Sequence, residues 1–208
     1  MQALAIHTNE RDAYRLIVDE THRLRARVFA ERLGWEVATS GGHEKDRFDE
    51  LNVTTIVALT DDGVVAGCAR LLPATGPTMV ADVFPQLLDG KGLGAHDGMI
   101  ESSRFCVDTS LATSRGGKSL HEATLTMLAG IIEWSIANRY SEIVTVTDTR
   151  FERILGRASW PLQRIGEPRL IGEVMSLAGR LPVNRESFLR VRPPRYQSEI
   201  AGLQKIAA

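Results

Sequence analysis

Cysteine is nearly missing: Cys68 and Cys106 are the only two in 208 residues. They form neither a disulfide framework nor a metal-ligand spacing, and both lie in apolar runs, so they read as core thiols of a reducing compartment. An excess of either charge is missing too. Lys and Arg number 25 against 26 Asp and Glu, a net charge of -1, which excludes the broad basic field that nucleic-acid binders use. Electrostatic recognition must therefore be local. No apolar run approaches a membrane span, and Met1-Gln2-Ala3-Leu4-Ala5-Ile6 has no charged residues ahead of it and turns polar at His7, unlike a secretion signal. A cytoplasmic protein is the expectation. His7, His22, His43, His96 and His121 show no pairing at metal-binding spacing, and no serine sits in a nucleophile elbow. Metal-dependent and serine hydrolases are poorly supported.

What is present suits one sizeable domain over residues 1–208: 43% hydrophobic and 25% charged residues are enough for a large core and a solvated surface. Residues 2–7 read as a strand. Asn9 reads as the cap of a long helix, with Tyr14, Ile17, Val18, Thr21, Leu24, Val28 and Phe29 at helical spacing up to about Leu33 and a stop at Gly34. Residues 35–52 lose that pattern and form a charge-dense loop, in which Trp35 and Phe48 argue for function rather than a disordered linker. Residues 54–60 and 64–72 read as a hairpin across Asp61-Asp62-Gly63. Residues 73–98 are irregular apart from a turn of helix near 80–88. Helices are expected at 119–138, 149–158 and 184–190, and strands at 142–147, 162–165 and 169–177. Strands and helices mixed without a repeating period predict an α/β sandwich around a mixed sheet.

The run Ile100-Glu101-Ser102-Ser103-Arg104-Phe105-Cys106-Val107 is the focal point. It has strand character, yet it carries an acid and a base that need partners if buried. Strand alternation places Glu101 and Ser103 on one face and Ser102 and Arg104 on the other. Residues 112–119 carry a glycine-bearing turn before a helix that could hold a phosphate of an acyl carrier on its backbone N–H groups. With Ala112 at the first glycine position, it departs from a nucleoside-triphosphate loop. Arg150, Arg153 and Arg157, followed by Arg164 and Arg169, make a local basic patch, which reads equally as a solvated face or as a docking surface for an acidic partner.

Taken together, Arg25, Phe29 and Trp35, then Asp46 and Asp49, then Arg70, then Glu101 and Arg104 resemble in order and spacing the acyl-homoserine-lactone synthases, the autoinducer synthases of bacterial quorum sensing. The second half of the chain resembles them more loosely, with Gly156 where a basic residue is expected.

The resemblance implies an acetyltransferase-like α/β/α sandwich around a mixed twisted sheet. It also implies two substrates, S-adenosylmethionine and an acyl thioester from an acyl-carrier protein or CoA, with no cofactor, metal, nucleic acid or membrane involved. Arg25, Phe29, Trp35, Asp46, Asp49, Arg70, Ser103, Arg104 and Phe105 are the residues it assigns to S-adenosylmethionine, with Glu101 and Arg104 catalytic. The residue types suit this ligand: acids and arginines answer its sulfonium, ammonium and carboxylate, and rings answer its purine. The acyl chain is expected against Met79, Phe84, Phe105, Met127, Leu128, Thr145 and Val146. Thr145 stands where a threonine in this family favours a 3-oxo group, and Arg150, Arg153 and Arg157 face the carrier. A general N-acetyltransferase using acetyl-CoA is the nearest alternative, and a non-catalytic regulator binding S-adenosylmethionine or a carrier is another.

Overall fold

One twisted sheet organises the computed structural model, which describes residues 1–111 and 121–200; the glycine-bearing turn at 112–119 lies outside them. In chain order the elements are β1 (Gln2–His7), α1 (Arg15–Arg25), β2 (Thr39–Ser40), β3 (His43–Glu44), β4 (Thr54–Leu59), β5 (Val65–Pro73), α2 (Met79–Asp82) and β6 (Met99–Val107). There follow α3 (Glu122–Ala137), β7 (Glu142–Asp148), α4 (Thr149–Arg157), β8 (Gln163–Arg164), β9 (Arg169–Ile171), β10 (Val174–Pro182), α5 (Arg185–Val191) and β11 (Gln197–Ser198). The strand order is β11-β1-β4-β5-β6-β7-β10-β8, with β9 also on β10 and β2-β3 a separate hairpin. Neighbours from β1 to β6 are antiparallel, whereas β6 and β7 run parallel. This is the expected α/β sandwich on a mixed sheet.

Alternation along the strands builds a core on each face. Ile56, Ala69, Leu71 and Ile100 face α3, where Met127, Leu128, Ile131 and Trp134 pack. Leu4, Ile6, Val57 and Cys68 face α1 and meet Leu24, Val28 and Phe29. Gly130 lets α3 sit close on the sheet, because a Cβ there would stand 3.0 Å from Ala3 and 3.1 Å from Ile56. No helix among the described residues is long and apolar enough to cross a membrane.

The first helix differs from expectation at both ends. Asn9 lies in a 3-10 turn, Thr8–Glu10, and α1 begins only at Arg15. Thr8 explains the delay: its hydroxyl donates to the carbonyls of Leu51 (3.1 Å) and Val53 (3.0 Å), which ties this segment to the start of β4. Beyond Arg25 the helix widens into a π-helical stretch, Ala26–Arg32, a distortion often found at functional sites. Gly34, with φ of 64°, then turns the chain. The expected single strand at 169–177 is instead the hairpin β9-β10, because Gly172 takes φ of 58°.

Candidate active site

A bulge in β6 sets the site. Cys68 pairs with Cys106 and Arg70 with Ser103, so Arg104 and Phe105 together oppose the single residue Ala69. Arg104 adopts φ of 54°, the left-handed conformation that lets one strand residue be skipped. Strict alternation would have sent Arg104 to the α3 side. The bulge returns it to the α1 side with Glu101 and Ser103, while Ser102 and Phe105 face the α3 side.

Three arginines and three carboxylates converge on that α1 side. Arg25 grips Asp49 with both terminal nitrogens, each at 2.8 Å, and its Nε donates to Glu44 at 2.5 Å. Arg70 reaches Asp46 (2.5 and 3.1 Å), Asp49 (2.8 Å) and the Ser103 hydroxyl (3.2 Å). Arg104 donates through Nε to Glu44 (3.0 Å) and pairs with Asp46 through Nη2 (2.8 Å). Burial opposes charge on both members of the Arg25–Asp49 pair, but mutual ion pairing outweighs it. Asp49 is held well below the ordinary carboxylate range, and Arg25 is held above the ordinary guanidinium range.

The members are not equally accessible. Arg25 and Arg70 have every terminal nitrogen engaged, and the Arg70 side chain is 1% exposed, so these two hold the acids in place. The Arg104 side chain is 11% exposed and Asp46 16%. Among the described residues, Arg104 Nη1 has only the thioether of Met79 at 3.4 Å, a weak acceptor. A carboxylate ligand would therefore meet Arg104 rather than Arg25. Phe29 and Trp35 stack at 5.2 Å, and the Arg104 guanidinium lies 5.6 Å above the Phe29 ring, which forms an aromatic wall beside the charged edge.

Glu101 is fully buried, and its Oε2 accepts from the Val80 N–H at 2.8 Å in the first turn of α2. Its Oε1 is buried and makes no hydrogen bond among the described residues. Burial pushes its pKa up, against the N–H groups of Val80 and Met79 and the charge of Arg70. A buried carboxylate with raised proton affinity and one unengaged oxygen is suited to accepting a proton from a neighbouring group.

On the α3 side the parallel strands part. β6 and β7 pair only at Met99–Glu142, Ile100–Ile143 and Glu101–Val144. Just past the last pair, the Thr145 hydroxyl spans the gap to the Ser102 carbonyl at 2.8 Å. Beneath the diverging strands, between the sheet and the helices α3 and α4, lies a narrow cavity of about 20 Å³, lined by Ser102, Phe105, Leu128, Thr145, Phe151 and Trp160 among others. Its walls are mostly apolar and it is hardly larger than one water, so a longer apolar group would enter it only by moving side chains.

The structure thus divides the residues expected around the acyl chain. Phe105, Leu128 and Thr145 line the cavity. Met79 instead contacts the arginines, with Sδ 3.2 Å from Arg70, and packs on Phe48 and Leu72. Phe84 and Val146 pack with Val80, Met99 and Val144 on the opposite face, because alternation along β7 sends Thr145 and Val146 to different sides. Met127 is core beneath Gly67, whose Cβ would meet it at 3.0 Å. Phe105, expected beside S-adenosylmethionine, turns instead to Phe151 at 4.6 Å. On α4, Phe151 and Leu155 point into the cavity while Arg150, Arg153 and Arg157 are exposed, so the basic face lies on the outer side of the cavity wall.

Sequence reasoning missed Glu44, which is fully buried and bridges Arg25 and Arg104. A count of charges does not reveal it, because Asp46, Asp49 and Glu101 already equal the three arginines in number; the structure turns Glu101 to the Val80 N–H, and Glu44 is the third acid paired with the arginines. Sequence reasoning also missed Trp160, whose indole N–H donates to the Pro182 carbonyl at 2.9 Å and which closes the cavity.

Residues 8–191 match the model of the autoinducer synthase family. The chain is 61% identical over 200 residues to a probable acyl-homoserine-lactone synthase of Sinorhizobium fredii, an alignment covering 96% of each. Its fold superposes on the AHL synthase LasI with a TM-score of 0.79 at 30% identity, covering 91% and 93% of the two chains. A CoA-dependent acyl-homoserine lactone synthase, BjaI, solved with SAM and isopentyl-CoA, gives 0.82 at 24% identity over 99% and 96%, a likeness of fold. The general N-acetyltransferase is therefore the less favoured reading. With its acetyltransferase-like sheet, its parted strands and its ring of arginines and acids, the chain belongs to the autoinducer synthases, the acyl-homoserine-lactone synthase family of acyltransferases.

Proposed function

We propose that the chain acylates the amine of S-adenosylmethionine from an acyl thioester and then closes the product to an acyl-homoserine lactone. The observation that carries this reading is the bulge at Arg104. One short strand faces a charged, aromatic-walled site with Glu101, Ser103 and Arg104, and an apolar cavity with Ser102 and Phe105.

In this reading Arg104 Nη1 takes the substrate carboxylate, while Asp46 lies close enough to answer its positive groups. Phe29 and Trp35 supply the wall for sulfonium or adenine. Glu101 accepts a proton from the ammonium, and the freed amine attacks the thioester carbonyl. The N–C bond forms, the C–S bond breaks, and the thiolate leaves to be protonated. The substrate carboxylate oxygen then attacks the carbon next to the sulfonium, and that C–S bond breaks to release methylthioadenosine. This second step needs little from the protein, because nucleophile and leaving group lie in one molecule.

The thioester is proposed to enter between β6 and β7, with its chain toward Trp160. An acidic acyl-carrier protein is the proposed donor, docking on Arg150, Arg153 and Arg157, with acyl-CoA the second possibility. Mass spectrometry of lactones from cells expressing the chain tests the reading. Acyl-homoserine lactones absent from control cells are the expected result, and their absence with folded protein present overturns it.

A further inference from the structure

We propose that His22 is a positioning residue for S-adenosylmethionine binding: its Nδ1–H holds the backbone of Glu44 so that the Glu44 carboxylate bridges Arg25 and Arg104. This inference rests on the reading of the site given above.

Glu44 is the one acid of the cluster placed by almost no regular structure of its own. It sits on β3, whose hairpin has two residue pairs, Thr39–Glu44 and Ser40–His43, and whose other strand is exposed. An element that short has little stability alone. α1 supplies the missing constraint from two side chains one turn apart. Asp19 pairs with His43 Nε2 at 2.8 Å, and His22 Nδ1 lies 3.1 Å from the Glu44 carbonyl. One turn further along, Arg25 takes the Glu44 carboxylate. A single helix thus grips Glu44 at both backbone and side chain.

A histidine does this without disturbing the charge balance. His22 is buried, and burial together with the neighbouring Arg25 pushes its pKa down to about 4. It is neutral at physiological pH and adds no fourth cation beside three arginines and three acids. Because the facing carbonyl can only accept, the proton of the neutral ring sits on Nδ1.

The test separates positioning from mere filling of space. In His22→Asn the amide nitrogen stands as many bonds from the backbone as Nδ1, so the donor is kept. In His22→Gln it reaches one bond too far. Calorimetric titration with S-adenosylmethionine and initial-rate kinetics are compared for both variants and the parent, with thermal unfolding confirming that all are folded. The Gln variant is expected to weaken S-adenosylmethionine binding roughly tenfold, about the worth of one buried hydrogen bond, with kcat changed less than about threefold. The Asn variant is expected to bind within about threefold of the parent. Equal affinities for Asn and Gln, or a loss confined to kcat, overturn the proposal. A parent protein that releases no methylthioadenosine would instead point to failure of the functional reading.

Discussion

Ser103 and Arg104 are adjacent in β6 and yet face the same side of the sheet, Ser103 meeting Arg70 at 3.2 Å and Arg104 meeting Glu44 at 3.0 Å. The left-handed conformation of Arg104 makes this possible, and it turns a strand into the boundary between the charged cluster and the apolar-lined cavity. Arg104→Lys keeps a charge and places no new demand on the backbone but loses the forked contact. Charge-assisted hydrogen bonds of about 2 kcal/mol are at stake, so kcat/KM is expected to fall roughly 30-fold. Steady-state kinetics beside thermal unfolding checks this; an unchanged kcat/KM would remove Arg104 from substrate contact.

Glu101→Gln is expected to lower kcat about 100-fold or more, with a smaller change in S-adenosylmethionine affinity, as removal of a proton acceptor requires. The same variant should be more stable. Burial raises the Glu101 pKa, so the folded state binds its proton more tightly than the unfolded chain does. Stability therefore falls as pH rises from the unfolded value through the folded one, and at neutral pH the ionised carboxylate is a burden. A Tm for Glu101→Gln that exceeds the parent's by roughly 2–4 °C at pH 7, with the gap closing as pH falls, is the expected outcome.

Asp49→Asn should act in the opposite direction. Asp49 lies between Arg25 and Arg70, which hold its pKa below its ordinary value of 3.8 despite burial. Its contribution to stability is complete above that value and is lost as pH falls below it. Removing the charge leaves a buried excess of guanidinium, expected to cost about 3–5 kcal/mol at pH 7. Denaturant unfolding at pH 7 and pH 3 checks this: the deficit should shrink at the lower pH.

Trp160→Ala should deepen the cavity beneath β6 and β7, shifting the lactones toward longer chains at a stability cost of about 3–5 kcal/mol. Product profiling against a mixture of acyl thioesters reads the shift. An unchanged profile in folded protein would place the acyl chain elsewhere.

The architecture was largely legible, because amphipathic stripes such as Met127, Ile131 and Trp134 and turns such as Asp61-Asp62-Gly63 act locally. The charged cluster was legible as a set of residues but not as a geometry. Alternation assigns Arg104 to the wrong face, since nothing in Ser102-Ser103-Arg104-Phe105 announces a bulge. Glu44 escaped because its role depends on contacts with α1 and β6, both remote in sequence. The lining of the cavity was legible in part for a similar reason: Met79, Phe84 and Val146 are as apolar as Phe105 and Leu128, and only strand parity at Thr145 and Val146 separates the two faces.

The most direct test of the account is a structure of the protein crystallised with methylthioadenosine and an acyl thioester. The account predicts the adenosine against Phe29 and Trp35 beside Arg104, with the acyl chain widening the cavity between Ser102, Thr145 and Trp160. Methylthioadenosine seated instead in the surface groove formed by Asp19, Ser40, His43 and Lys45, or an acyl chain on the Phe84 and Val146 face, would contradict it.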